Sequence, residues 1–325
     1  MPTTYKLYDV VQSARAMPDL TPVFGQTSGF TQEPALTIGN MVMQKFLATR
    51  LDWKFNRAAA APFLTVALQQ DYVTSITNLG WLTQSWRIDI NNTALPKPVF
   101  MMEEVRDLGQ TSYQRNPFQI SWIPNSLATF GKWQANTSYQ TGLGAAQTPA
   151  SPIQQFIDTN GNFLYVTGFG TSGNSQPSAP ASSAAGVTVT DGAVTWTVAD
   201  PNGIAFRLAP MPASSGIVWE IHPIYQKKPP KMTALQTLIT PIPDDYYYLF
   251  FQGFVTYCYK QAGPQYAKRF EQEYTQWLAD LDTALRAGDR ESEDATMYPS
   301  ESITGGGPWQ PLPIGPGYPY EPYSY

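Results

Sequence analysis

One histidine and one cysteine, His222 and Cys258, stand among 325 residues. A structural zinc site usually takes four Cys or His ligands, so no metal site is expected from these two. His222 lies two residues after Glu220 and directly before Pro223. A histidine beside a carboxylate can act as a general base when a nucleophile is in reach. Nothing in the spacing supplies that nucleophile, and a packed or solvent-edge histidine is the plainer reading. Paired acids invite a hydrolase reading. Glu103 and Glu104 are adjacent in a strand-like run, so their side chains point to opposite faces and are badly placed to flank one glycosidic bond. Asp244 and Asp245 open a helix, where carboxylates favour the positive end of the dipole. The glycine-rich pieces GTSG and GGG lack a following Lys-Ser/Thr, so no phosphate loop is expected. Lys227, Lys228 and Lys231 form the one basic cluster worth naming, a candidate contact for DNA phosphate or an acidic partner. The census offers no catalytic residue and no cofactor, and points to a structural part instead of an enzyme.

Composition agrees with that reading. Charged residues make up 14% of the chain, against about 25% in typical soluble proteins. Aromatics reach the same 14%, and there are 24 glycines and 29 prolines, which implies a loop-rich chain with surface covered by neighbours. The formal net charge of −5 argues against tight binding of nucleic acid, yet a weakly acidic wall would let DNA slide past. A lone cysteine cannot form an internal disulfide. The opening residues lack a basic region followed by an apolar core, so no secretory signal is expected. No run approaches eighteen apolar residues, so no membrane span is expected either.

The elements that would position these residues can be read from periodicity. A short helix is expected over 5–16, ended by Pro18. A second starts behind Thr31 as N-cap and runs to about residue 50, with Leu36, Val42, Met43, Phe46 and Leu47 at near-helical spacing. Strand-like runs follow at 63–69, 81–89, 98–105 and 118–123, then at 203–210 and 216–226. Two helices close the pattern. One spans about 243–262. Gly263 and Pro264 separate it from a second, with Tyr266, Phe270, Tyr274, Trp277, Leu278, Leu281 and Leu285 in a stripe that Gly288 should end.

Residues 132–200 differ, being rich in Gly, Ser, Thr, Ala and Asn. They end in VTVTDGAVTWTV, two short strands around Asp191-Gly192, a strong hairpin signal. The loop at 172–186 reads as low-complexity and mobile. The runs at 118–123 and 204–208 look like halves of one sheet, so 132–200 reads as an insertion.

Several motifs carry a resemblance. In order they are W-x-F-N-R (Trp53 to Arg57), QQDY (Gln69 to Tyr72), a WL strand (Trp81, Leu82), YQKKPP after Ile224, and PIPDDY before the aromatic helix. Together they resemble the head-to-tail adaptor, or neck, proteins of tailed bacteriophages over roughly 31–130 and 203–290. The insert resembles small β-modules of phage virion proteins through Trp133, Asn136, Thr137, Tyr139, the run from Tyr165 to Gly173, and Asp191, Gly192, Val194 and Trp196.

The resemblance implies a virion protein at the head–tail interface, held in the host cytoplasm before assembly. It would form a ring, usually of twelve copies, under the portal protein. It would extend the DNA ejection channel and meet tail nozzle, tube or fibre proteins. Double-stranded DNA would pass without specific binding. The fold class expected is α+β: a helical core with an antiparallel β-domain, an inserted all-β module and an extended C-terminal tail. The parent domain is assigned to 1–131 and 201–300, the module to 132–200 and the tail to 301–325. The tail's Trp309, Tyr318, Tyr320, Tyr323 and Tyr325 are candidate portal-docking residues. The rival reading is a tail-fibre or decoration protein whose module binds fibres or a glycan.

Overall fold

Leu7, Val10, Val11 and Ala14 recur at helical spacing, and all four are buried on helix α1 (Leu7–Arg15) of the computed structural model. Asp9 reaches back to accept the Lys6 N–H at 2.8 Å, satisfying a donor that the helix start leaves free. The residues described are 3–20, 33–48, 51–83, 85–89, 96–101, 119–139, 153–212 and 218–297, with the side chains of 100, 101 and 287–297 set aside. Helix α2 (Ala35–Phe46) buries Ala35, Ile38, Val42, Met43 and Phe46. It starts later than the sequence suggests. Pro34 is the N-cap, and the Glu33 carboxylate accepts the Thr37 hydroxyl at 2.8 Å; Thr31 lies outside the described residues.

Helix α3 (Tyr247–Ala262) packs on both α1 and α2 through Leu249, Phe250, Phe254 and Cys258. Gly263, at φ 124°, ends it in a conformation that other residues rarely adopt, and Pro264 opens the turn into α4 (Ala267–Met297). The stripe on α4 is buried only in part. Trp277 and Leu281 are fully covered; Tyr266, Phe270, Tyr274 and Leu278 are half-buried. The Trp277 indole N–H donates to the Leu249 carbonyl at 2.9 Å. Gly253 makes room for it, because a Cβ there would lie 2.4 Å from the indole. Gly288 does not end the helix, which runs on to Met297. One interior glycine costs about 1 kcal/mol, too little to stop a run flanked by Arg290, Glu291, Glu293 and Ala295.

Seven strands form the main sheet, in the order β2-β15-β5-β6-β7-β14-β3. They are β2 (Phe63–Leu64), β3 (Asp71–Val73), β5 (Ser85–Asp89), β6 (Lys97–Met101), β7 (Gln119–Pro124), β14 (Ile204–Ala209) and β15 (Trp219–His222). All neighbours are antiparallel except β6 and β7, which run parallel. The sheet curls until its two edges meet: Phe63 on β2 stacks on Tyr72 of β3 with ring centroids 4.4 Å apart. The enclosed core includes Val66, Val99, Ile120, Phe206, Leu208, Trp219 and Ile221.

A second sheet orders β1 (Arg57–Ala59), β16 (Ile224–Lys227) and β4 (Leu79–Leu82). Three expected strands are corrected here. The run 63–69 is strand only at its first two residues; the chain then turns at Ala67 and Leu68, with Leu68 at φ 60°. The run 81–89 breaks into β4 and β5, and the run 216–226 breaks at Pro223 into β15 and β16. Pro223 has no N–H for a ladder. Its carbonyl accepts the Ala60 N–H at 2.9 Å, and beside it the Thr83 N–H donates to Ile224 at 2.8 Å. Both strands of the ribbon therefore bend together and pass from one sheet into the other. Of the run 98–105, residues 102–105 lie outside the described residues, as do Glu103 and Glu104.

The 132–200 segment leaves from β7 and returns into β14, which are neighbours with Ala205 opposite Ile123. It contributes β8 (Ser138–Tyr139) paired with β11 (Gly170–Thr171), and a sheet β12-β13-β10-β9. The latter comprises β9 (Gln155–Ile157), β10 (Phe163–Gly168), β12 (Thr188–Asp191) and β13 (Val194–Val198). The expected hairpin is present, with Asp191 opposite Val194. Its core holds Tyr139, Phe156, Leu164, Ala179, Val194, Trp196 and Val198. Residues 1–281 make one compact unit; 282–325 make another, in which Arg286 pairs with Asp282 at 2.9 Å.

Candidate functional site

Four of the segments that carry the resemblance meet at one joint. Trp53 lies against Phe46 of α2, donates its indole N–H to the Phe46 carbonyl at 2.7 Å, and stacks on Phe55. Tyr246, from PIPDDY, meets Trp53 edge-on, with centroids 5.4 Å apart. Arg57 pairs with Gln226 across β1 and β16, and Trp81 pairs with Gln226 from the other side. W-x-F-N-R, the WL strand and YQKK thus form the three-stranded sheet, and PIPDDY packs beside it. Buried Gln226 ties the joint together: its amide donates to the Trp53 carbonyl at 2.9 Å and to the Asp52 carboxylate. Asn56 donates to the Lys227 carbonyl at 3.0 Å. Further on, Asn40 of α2 exchanges two hydrogen bonds with the Met232 backbone, at 2.8 and 3.0 Å, and so holds the linker to the helices.

The lysine cluster sits on this joint. Lys227 is half-buried on β16; Lys228 and Lys231 are exposed on the turn that follows, which the Lys228 N–H anchors to Asn78 at 2.7 Å. Asp244 stands with Asp245 in the opening turn, a 3-10 helix (Asp244–Tyr246) that runs into α3, as expected, and it also holds the chain's other end. Its carboxylate accepts the Thr4 N–H at 2.9 Å and the Thr4 hydroxyl at 2.7 Å, clamping the N-terminal segment, and these bonds hold its carboxyl below the usual range.

A second polar centre lies between the main sheet and the module, in the QQDY segment. Buried Asp71 forms a bidentate pair with Arg207, at 2.7 and 2.9 Å, and also accepts the Thr129 N–H at 2.8 Å. Gln69 and Gln155, both buried, join the two parts. Gln155 accepts the Val73 N–H at 3.1 Å and donates to the Thr129 carbonyl at 2.6 Å. Gln69 donates to the Asp71 carbonyl at 3.0 Å and accepts the Gln154 N–H at 2.8 Å. Beside this junction a cleft of about 660 Å³ opens between the edges of β2 and β3 and strand β10. Phe63, Tyr72, Tyr165 and Phe169 line it, and Phe169 is 42% exposed.

Within the module, Asp191 explains why the motif needs that aspartate. One oxygen accepts both indole N–H groups, Trp133 at 2.8 Å and Trp196 at 3.3 Å; the other accepts the Gly173 N–H at 2.7 Å. Asp158 does similar work for the loop expected to be mobile. It accepts the N–H groups of Asn160, Asn162 and Ala179 at 2.8–2.9 Å, so the loop is pinned at Ala179.

The remaining candidates fall elsewhere. His222 is half-exposed on β15, its Nε2 3.5 Å from Glu220. Cys258 is fully buried on the inner face of α3, and burial pushes its thiol far up from the ordinary value. No group of three or more His, Cys, Asp or Glu suited to a metal occurs among the described residues. On the α3–α4 hairpin, half-buried Tyr257, Phe270 and Tyr274 form a ring cluster. Lys260 lies 5.6 Å from Phe270, and Lys45 lies 5.8 Å from Tyr274. Trp309, Tyr318, Tyr320, Tyr323 and Tyr325 lie outside the described residues. Gln155 and Arg207 carried no signal that sequence reading could use, since their partners Val73, Thr129 and Asp71 stand far off in the chain, and the bond from Ala179 to Asp158 is hidden in the same way. No protein-family model and no curated protein matches this sequence.

Proposed function

We propose that this chain is a structural virion protein of a tailed bacteriophage, a head-to-tail adaptor that forms a ring between portal and tail. One observation carries the reading. Motifs separated by up to about 190 residues, which together suggested the family, converge on a single joint where a three-stranded sheet meets the helices. Such a joint fixes the angle between a β-domain and a helical hairpin, the geometry a ring subunit must hold constant from copy to copy. The half-buried aromatic face of the hairpin, flanked by Lys45 and Lys260, supplies surface for a neighbouring copy. The exposed Lys228 and Lys231 offer weak contact to passing phosphate while a net charge of −5 keeps DNA free to slide. On this reading the module at 132–200 is an insertion that leaves the parent sheet intact.

The test is to locate the protein in assembled particles. A gold-labelled tag on this chain should mark the portal vertex, one cluster per particle. Label distributed over the capsid surface or along fibres would overturn the reading in favour of a decoration or fibre protein.

A further inference from the structure

The cleft between β2, β3 and β10 has walls without a single charged side chain among the described residues that line it. Phe63, Tyr72, Tyr165 and Phe169 give it an aromatic lining, and Thr167 and Ser75 add hydroxyls. An added β-strand is a poor fit. The outward N–H of Val73 and carbonyl of Asp71 on the β3 edge are already engaged by Gln155 and Gln69. A polyproline II segment needs no strand ladder and docks in aromatic-lined grooves. The sequence of this chain offers a candidate. Pro313, Pro316, Pro319 and Pro322 recur at every third position, as do Pro308 and Pro311. A polyproline II helix has three residues per turn, so that period puts the prolines on one face. Residues 308–320 carry no charged side chain, matching the uncharged walls, and Glu321 is the one charge in 308–322. Helix α4 ends at Met297, and the stretch from there to Pro308 reaches at most about 40 Å.

We propose that the cleft is a receptor for a proline-rich, polyproline II segment, and that residues 308–322 of a second copy of this chain occupy it. Each copy would then hand its C-terminal segment to a neighbour, linking copies by a strap instead of anchoring to another protein. The portal docking expected for Trp309 and the tyrosines is the competing fate of the same residues.

The test uses the purified full chain alone, so its failure leaves the head-to-tail reading standing. Phe169, half in solvent at the rim, is replaced with photoreactive p-benzoylphenylalanine, and the protein is mixed with unmodified copies labelled with ¹⁵N. After irradiation, cross-links should join position 169 to ¹⁵N-bearing peptides from 308–322. Adding Thr167→Arg, which puts a charge into the wall, should lower their yield by about tenfold while circular dichroism stays unchanged. Pro316→Ala with Pro319→Ala should lower it as well. Cross-links to other segments, cross-links confined to the same copy, or a yield indifferent to Thr167→Arg would overturn the proposal.

Discussion

Asp158 accepts three backbone N–H groups and the Asn162 side chain, and so fixes the turn that carries Ala179 into the module core. Burial alone would raise its pKa, but these hydrogen bonds outweigh burial and hold the carboxyl below the ordinary value. A depressed folded-state pKa contributes stability that is full above the unfolded value of about 3.9 and lost as pH falls through the folded value. Amide exchange in the loop at 175–183 should therefore quicken on acidification below about pH 4. Asp158→Ala should quicken it already at neutral pH; protection unchanged by the substitution would refute this role. Gly253 invites a harsher test. Its missing side chain admits the Trp277 indole, and Gly253→Ala should cost about 1–3 kcal/mol in urea unfolding, the usual range for overpacking. Of these residues only Asp191 was legible beforehand, because it sits in a local hairpin motif with its tryptophan five residues away. Asp158 and Gly253 take their meaning from partners 21 and 24 positions distant, and no local pattern announces those.

At the scale of elements, the amphipathic helices were readable because burial follows a 3.6-residue period that the sequence displays directly. Gly263 and Pro264 marked the hairpin correctly for the same local reason. Strand runs were harder. An alternating pattern is unchanged when a ribbon bends from one sheet to the next, so 81–89 read as one strand; at 216–226 only Pro223 hinted at the bend. The C-terminal stripe also divides in a way that spacing does not reveal. Leu281→Ala should cost about 2–5 kcal/mol, and Leu278→Ala clearly less, since Leu281 is fully covered and Leu278 is not. Equal losses would mean both face the same core. Where the module joins the sheet, Gln155→Ala removes bonds to Val73 and Thr129 at one stroke. Limited proteolysis of that variant should cut within 129–154 faster than in the parent protein, with the helices untouched. Unchanged cleavage would show that the apolar contacts around Ala199 and Phe163 suffice.

For the molecule as a whole, the α+β fold with its C-terminal helical hairpin was legible, and the joint that unites the scattered motifs was not. Sequence order hides that Trp53, Trp81, Gln226 and Tyr246 are neighbours. Their convergence gives a chain poor in catalytic side chains a defined angle between its sheets and helices, and a subunit that must repeat around an axis needs that angle. The central claim is therefore about assembly, and the mass of the purified protein tests it most directly. Twelve chains of 36.0 kDa come to about 430 kDa, and a closed ring of that order should appear by mass photometry and as annular particles in negative stain. A uniform species of about three chains with a spike-like outline, or a monomer at every concentration and in the presence of portal protein, would contradict it.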